Sequence, residues 1–160
     1  MSPPQRTEET DASVLRARHE MANTLVRYLS AVDDHDLDAV ISELAEARVS
    51  FGGPALSGVD ELTPGYRDAF ANGGRTRHLL HEIEVEGGGE DPNGADVVSG
   101  RAGYQRWSLD TEPPTITALG RYEVLLANSG DGWHMTALTV HRDWQRSGTL
   151  LAPTRGRESR

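Results

Sequence analysis

The stretch TITALGRYEVLLANSGDGWHMTALTVHRDWQ, residues 115–145, decides the fold of this 160-residue chain. Its two parts, residues 115–128 and 132–145, each have the pattern of a long strand. Between them lies Ser129-Gly130-Asp131-Gly132, a run of residues that favour tight turns. Two long strands joined by so short a turn are expected to pair as an antiparallel hairpin.

Two further strands are predicted before this hairpin, at residues 76–86 and 95–109. They are separated from each other by Gly87-Gly88-Gly89 and Asp91-Pro92-Asn93-Gly94, and from the hairpin by Pro113-Pro114. The sequence after residue 75 therefore predicts four consecutive antiparallel strands.

The sequence before residue 73 is mainly helical in pattern. Its first apolar residues recur at steps of seven, four, four and three, which predicts one stripe of a helix that begins after the N-cap Asp11. This stripe consists of Val14, Met21, Leu25, Leu29 and Val32. Helices are also predicted at residues 37–44 and 59–71, with a short strand at 48–51. Helices followed by antiparallel strands predict an α+β fold, with the helices on one sheet face and a pocket between the layers.

The charged residues limit the chemistry that the chain can perform. All 16 basic residues are Arg, 25 residues are acidic, and the net charge is −9. Because Cys and Lys are absent, thiolate nucleophiles, disulfides, zinc–thiolate sites and Schiff-base lysines are excluded. A pI near 5.1 argues against nucleic acid or an anionic membrane as a partner.

The domain organisation is expected to be simple. Residues 1–11 are predicted to be a disordered leader, residues 12–146 a single domain, and residues 147–160 a flexible tail. The leader lacks the apolar core of a signal peptide, and the longest apolar run, residues 124–127, is too short to span a bilayer. A cytoplasmic location is therefore expected.

Several short sequence motifs, in this order, resemble those of a known family. They are Tyr28-Leu29-Ser30-Ala31-Val32-Asp33 with Asp36, Thr76-Arg77-His78, Gly120-Arg121-Tyr122, and Asp131-Gly132-Trp133 with Trp144. Over about residues 15–146 the chain resembles the scytalone-dehydratase-like subgroup of SnoaL-like proteins, in the nuclear-transport-factor-2-like superfamily. The resemblance implies a cone-shaped, curved, mostly antiparallel sheet wrapped around N-terminal helices and enclosing a pocket.

The resemblance also implies a catalytic dyad, in which Asp33 orients His78 as a general base. A carboxylate behind an imidazole fixes its tautomer and stabilises the imidazolium, which suits removal of a proton α to a carbonyl. Strict alternation along the strand, however, places His81 with the apolar Ile83 and Val85, opposite His78. His81 is therefore kept as the alternative base, and a β-bulge would reconcile the alternation with His78.

The other residues of the pocket are predicted by the same resemblance. Family members that dehydrate phenolic substrates hold a water with two tyrosines, and the matching positions here are Val32 and Phe51. Their second catalytic histidine matches Trp107. We expect Tyr122 and Trp107 to form pocket walls. Arg121 is expected either to bind a carboxylate or enolate oxygen or to pair with Glu123 or an acid on a neighbouring strand.

No metal or cofactor is expected. His141 and Asp143 stand two apart on one strand, a spacing that can begin an iron site, but a surface pair is the favoured interpretation. The glycines form no phosphate-binding loop, and there is no nucleophile elbow of the serine hydrolases.

These observations favour a cofactor-independent biosynthetic enzyme that dehydrates, isomerises or cyclises a polyketide-like or apolar small molecule. The alternative is a non-catalytic ligand-binding or scaffolding member of the same fold. Epoxide opening is a third hypothesis, but its Asp–Arg–Asp arrangement has no clear counterpart in this sequence. The resemblance further implies a homodimer or homotrimer formed through the exposed sheet face.

Overall fold

The computed structural model describes residues 6–147, with side chains from residue 13 onward. Three helices and six strands follow one another along the chain. They are α1 Arg6–Asp33, α2 Leu37–Glu43, β1 Arg48–Ser50, β2 Leu56–Ser57, α3 Gly58–Asn72, β3 Thr76–Glu90, β4 Asp96–Ser108, β5 Thr115–Asn128 and β6 Trp133–Gln145.

The six strands form one curved, unclosed sheet in the order β2-β1-β6-β5-β4-β3. Strands β3 to β6 pair as antiparallel neighbours, as the sequence predicted, and only β1 and β6 pair in parallel. The helices contact this sheet mainly through α1, which packs against β3 and β6. The predicted α+β fold with a mostly antiparallel curved sheet is therefore confirmed.

The core lies between α1 and the inner face of the sheet. Met21, Leu25 and Leu29 of the predicted stripe are buried, whereas Val14 is 47% exposed at the beginning of the described side chains. The sheet contributes alternate residues of β5 and β6, including Leu126, Met135 and Leu138, all fully buried. The helical and strand periods thus bury matching apolar surfaces.

Several element boundaries differ from the predictions. Helix α1 begins at Arg6, so residues 6–11 are helical and Asp11 lies inside the helix instead of capping it. Asp36 is the N-cap of α2, where its carboxylate accepts a hydrogen bond from the Ala39 N–H at 3.0 Å. Residues 1–5 and 148–160 lie outside the described residues. Among residues 6–147, no helix combines the length and apolar character needed to cross a membrane.

A β-bulge in the middle of β3 changes which residues face inward. The register with β4 shifts between His81 and Glu84, and Glu82 has a φ of 51°, in the left-handed region. Thr76, His78 and Leu80 face inward before the bulge, and the inward phase changes after it. After the bulge, the residues of β3 that face inward are Ile83 and Val85. The expectation of strict alternation was therefore wrong, because one extra residue reverses the phase of the strand.

Candidate active site

A partly enclosed cavity of about 70 Å³ lies between the helices and the inner face of the sheet. Its apolar wall comes from α1, α3 and the loop after β1, with Leu29, Val32, Phe51 and Phe70. Its polar wall comes from the inward residues of β3, β4 and β5. The predicted pocket residues Val32, Phe51, His78 and Tyr122 all line it.

Asp33 and His78 form a close and buried pair at the end of α1. The Nδ1 atom of His78 lies 2.7 Å from Oδ1 of Asp33, and the two side chains are 7% and 3% exposed. The backbone N–H of His78 donates to Oδ2 of Asp33 at 2.8 Å, and the Thr76 hydroxyl donates to Oδ1 at 2.8 Å. Because Asp33 engages Nδ1, Nε2 is the ring nitrogen of His78 left to face the cavity.

The hydrogen bonds around Asp33 keep its carboxylate ionised. Burial alone raises the pKa of Asp33, but the hydrogen bonds and charge of His78, together with the Thr76 hydroxyl, lower this pKa by more than burial raises it. The net pKa lies below 3.8. An ionised Asp33 accepts hydrogen bonds only, so it requires a proton on Nδ1 of His78 and leaves Nε2 as a proton acceptor.

His81, the alternative base, does not belong to this cavity. Its side chain is 43% exposed, and its Nδ1 lies 3.5 Å from Oε2 of Glu82. The ring packs over Gly103 on the outer face of β4, where a Cβ would collide with it. The odd spacing of three residues places His78 inside and His81 outside, and the bulge after His81 turns Ile83 and Val85 to the same face as His78.

A pair of tyrosines that the sequence analysis missed lies at the base of the cavity. The hydroxyls of Tyr28 on α1 and Tyr66 on α3 are 2.7 Å apart, and both residues are buried. Burial raises the pKa of Tyr28 to about 12, and burial together with the neighbouring Tyr28 raises the pKa of Tyr66 well above its ordinary value. Tyr28 precedes Val32 by one helical turn, so the spacing of the apolar stripe carried the signal for its inward position.

Two stacked tyrosines form the wall beyond His78. The rings of Tyr104 and Tyr122 have centroids 4.5 Å apart and an interplanar angle of 22°. Tyr104 also covers Gly120, where a Cβ would lie 2.7 Å from its ring. Burial raises the pKa of both phenols, so their hydroxyls stay protonated and remain potential donors.

Arg106 is the arginine on the cavity wall, whereas Trp107, which was expected to form a pocket wall, does not line the cavity. Arg106 faces inward opposite His78 on β3, and its Nη1 donates to the Thr117 hydroxyl at 3.1 Å. Trp107 is the next residue and points to the other face, where its Nε1 donates to Gln105 at 3.2 Å. Neighbouring residues of a strand face opposite sides of the sheet, so Arg106 lies inside the cavity and the position matched to the family's second histidine lies outside it.

Arg121 also lies outside the cavity. It is on the outer face of β5, and its Nε is 3.5 Å from Oδ2 of Asp143 on the neighbouring strand. This is the ion pair that the sequence analysis offered as the alternative to substrate binding. His141 lies 3.2 Å from Glu123. Among residues 13–147, no three His, Asp or Glu side chains cluster as a metal site.

Comparisons with known proteins agree with this architecture. A family model described as a SnoaL-like domain matches residues 13–139. No curated protein is a significant match to the chain in sequence.

Three solved structures illustrate the similarity in fold. A protein from Novosphingobium aromaticivorans, to which scytalone dehydratase activity is ascribed, has a TM-score of 0.69 at 13% identity, covering 94% of this chain and 99% of that one. The β subunit ascribed to an aromatic-ring-hydroxylating dioxygenase of that organism has a TM-score of 0.68 at 19% identity, covering 87% of this chain and 97% of that one. A Streptomyces avermitilis protein of the NTF2-like family, to which dehydratase activity is ascribed, has a TM-score of 0.62 at 17% identity. The match covers 82% of this chain and 96% of that one.

Proposed function

The chain belongs to the SnoaL-like domain family, and from that premise we propose that it is a cofactor-independent acid–base enzyme. The proposed reaction begins with removal of a proton α to a carbonyl of a small molecule, with His78 as the base. The observation that carries the proposal is the buried contact of 2.7 Å between His78 Nδ1 and Asp33 Oδ1, with His78 on the cavity wall. This distance is within the range that a functional base and its orienting group require.

In the proposed mechanism Asp33 positions the base and His78 contacts the substrate. The C–H bond breaks, its proton passes to Nε2 of His78, and its electron pair moves to the carbonyl oxygen as an enolate. The imidazolium that forms is stabilised by the ionised Asp33 at Nδ1. Return of the proton to another atom gives isomerisation, loss of a β-hydroxyl as water gives dehydration, and attack on a second carbonyl gives cyclisation.

The phenols of the cavity are the proposed donors to the enolate oxygen. Tyr122 and Tyr104 lie beside His78 on the sheet, and Tyr28 lies opposite on α1. Because their pKa values are raised, these hydroxyls do not ionise at neutral pH, and they donate hydrogen bonds to a developing negative charge. The apolar wall from Val32, Phe51 and Phe70 limits water around the reacting atoms.

The experiment follows α-proton exchange in a small aryl ketone, because this step does not depend on the later course of the reaction. Acetophenone in deuterated water is incubated with the protein, and loss of the methyl signal is followed by proton NMR. We expect His78→Asn to slow the catalysed exchange by at least ~10²-fold, the usual contribution of a general base. His81→Asn is the matched control, since His81 lies three residues away on the outer face.

Exchange that persists in His78→Asn at the wild-type rate would contradict the assignment of the base. Equal losses in His78→Asn and His81→Asn would contradict it as well. A far-ultraviolet circular dichroism spectrum of each variant shows whether the fold is retained.

A non-catalytic ligand-binding role is the second candidate. Arg106 stands next to the position where the resemblance implies a second histidine, and the fold also occurs in a dioxygenase β subunit. If this role is correct, the wild-type protein binds small aryl compounds in the cavity but gives no exchange above that of free imidazole.

We also propose that the chain forms a homo-oligomer through the outer face of the sheet. Leu79, Gln105, Leu119 and Trp144 lie in register across that face, and Leu79 and Trp144 are each 48% exposed. Exposed apolar residues grouped in this way are typical of an interface. Light scattering after size-exclusion chromatography should show a dimer or trimer that Trp144→Glu converts to a monomer, and a monomeric wild-type protein would refute it.

A further inference from the structure

The charge distribution of the cavity is opposite to that of the whole chain. The protein carries a net charge of −9, yet no Asp or Glu lines the cavity. The ionisable groups that do line it, besides the phenols, are His35, His78 and Arg106. A cavity with a cationic wall inside an acidic protein selects the charge of its ligand, since the walls exclude the water that screens charges outside.

Arg106 has no carboxylate partner among residues 13–147. Its guanidinium donates to the Thr117 hydroxyl, and the same hydroxyl donates to the Arg106 carbonyl oxygen at 3.1 Å, which fixes the side chain near its own backbone. Asp33, the acid whose charge acts on Arg106, accepts hydrogen bonds from Thr76 and from the ring and backbone of His78. Burial lowers the pKa of Arg106 below its ordinary value, and the charge of Asp33 opposes this shift only in part, without an ion pair between the two side chains.

A second arginine lies close behind this wall. Arg142 on β6 is in register with Gly120 on β5, which is in register with Tyr104 on β4. Its Nη2 atom is buried and has no hydrogen-bond partner among the described residues. A buried guanidinium nitrogen without a partner is rare, because desolvation of a charged donor is costly unless an acceptor compensates.

The local charges have a simple sum. Asp33 contributes one negative charge, Arg106 and Arg142 contribute two positive charges, and His78 is neutral when it acts as a base. A ligand with a single negative charge would neutralise this group, whereas a neutral ligand would leave it with one excess buried positive charge. A carboxylate also matches the planar, forked geometry of a guanidinium.

We infer that the cavity binds a small monoanionic substrate, a carboxylate attached to an apolar or single-ring body, with Arg106 as the residue that contacts the carboxylate and Arg142 as a supporting charge. Phe51, Phe70 and Val32 contact the apolar body. The volume of about 70 Å³ holds roughly five water-sized groups, which favours one ring over several in the enclosed part. The inference rests on the proposed function in taking this cavity as the substrate site.

The test compares benzoate with benzamide, a neutral molecule of nearly the same shape, by titration calorimetry. We expect the wild-type protein to bind benzoate at least ~10-fold more tightly than benzamide, which corresponds to one charge-assisted contact. Arg106→Gln should abolish this preference, Arg142→Gln should reduce it by less, and Arg121→Gln, on the outer face, should leave it unchanged. Shifts in the amide signal of His78 by NMR should locate both ligands in the cavity.

Three results would overturn the inference: equal affinity of the wild-type protein for the two ligands, no benzoate binding in the cavity, or an undiminished preference in Arg106→Gln. If Arg106→Gln does not fold, Arg106→Lys replaces it. Arg106→Lys keeps the charge without the fork, and we expect a weaker preference for benzoate with an unchanged affinity for benzamide; an undiminished preference in Arg106→Lys would overturn the inference. These outcomes do not depend on turnover, so they are separable from the proton-exchange result for His78→Asn.

Discussion

Charged side chains are paired differently on the two faces of the sheet. On the outer face charges stand in pairs of opposite sign, such as Arg101 with Glu84 at 2.8 Å and Arg121 with Asp143 at 3.5 Å. On the inner face, Arg106 has a hydroxyl for a partner, and His78 pairs with Asp33 at the end of α1. Paired, solvated charges contribute little to stability, whereas unbalanced charges in a cavity favour a ligand. The charged residues at the cavity, and not the paired charges of the outer face, are therefore the ones that point to function.

The largest expected difference between the faces concerns packing. Leu125 and Leu126 are neighbours on β5, but Leu125 is 37% exposed and Leu126 is fully buried. We expect Leu126→Ala to lower the free energy of unfolding by about 2–5 kcal/mol through loss of buried surface and formation of a cavity. Leu125→Ala should lower it by less than about 1 kcal/mol. Urea unfolding of both variants measures the difference, and equal losses would show that the faces are not distinct.

The second largest effect is expected at Gly120 on the inner face, which lies close to the ring of Tyr104. A Cβ at Gly120 would meet the Tyr104 ring and the backbone of His141, whereas a Cβ at Gly89 has open space around it. We expect Gly120→Ala to destabilise the protein by about 1–3 kcal/mol, as overpacking does, and to displace the Tyr104 ring from Tyr122. Gly89→Ala is the control and should be nearly neutral in thermal unfolding. A neutral Gly120→Ala would show that this part of the wall is loosely packed.

Acid should reveal the contribution of the buried Asp33 carboxylate to stability. The pKa of Asp33 is lower in the folded protein than its ordinary value of 3.8, so its contribution to stability is complete above pH 3.8 and is lost as the pH falls through the folded pKa. Asp33→Asn should therefore flatten the decrease in unfolding free energy below pH 4, as measured by urea unfolding at several pH values. Asp143→Asn is the exposed control, and an equally large change there would refute the assignment to Asp33.

The smallest expected effect is on the outer face. Arg121→Gln breaks the exposed pair with Asp143, and we expect a change in unfolding free energy of at most ~1 kcal/mol, decreasing with added salt. Thermal unfolding at low and high ionic strength measures it. A loss of several kcal/mol would mean that this face is buried in an assembly.

The sequence predicted the fold well, because the helical and strand periods of the core are local properties. The stripe with Met21, Leu25 and Leu29 and the strands β3 to β6 follow from residue spacing and from turn residues such as Gly130 and Gly132. The first helix was predicted to begin too late, since charged residues before Asp11 carry no apolar period although they continue the helix.

The site was predicted less completely, because its composition depends on the register between strands. His78 and Asp33 were identified by the family motif, and the structure places them in contact. Arg106 was missed and Trp107 was expected in the pocket instead, since which of two neighbouring residues faces inward depends on the pairing of β4 with β3. The hydroxyl pair of Tyr28 and Tyr66 depends on a contact between two helices, which residue spacing along either one does not reveal.

The extra residue in β3 determines what a one-residue deletion would do to the site during evolution of this chain. His78 and the apolar segment of Ile83 and Val85 face inward in two different phases, joined at Glu82. In-frame loss of the single codon for Glu82 would restore one continuous phase and turn one of these two groups toward solvent. Every proposed site residue would still be encoded. If the segment with His78 were the one to turn, such a descendant would keep the complete list of site residues while its base no longer reached the cavity.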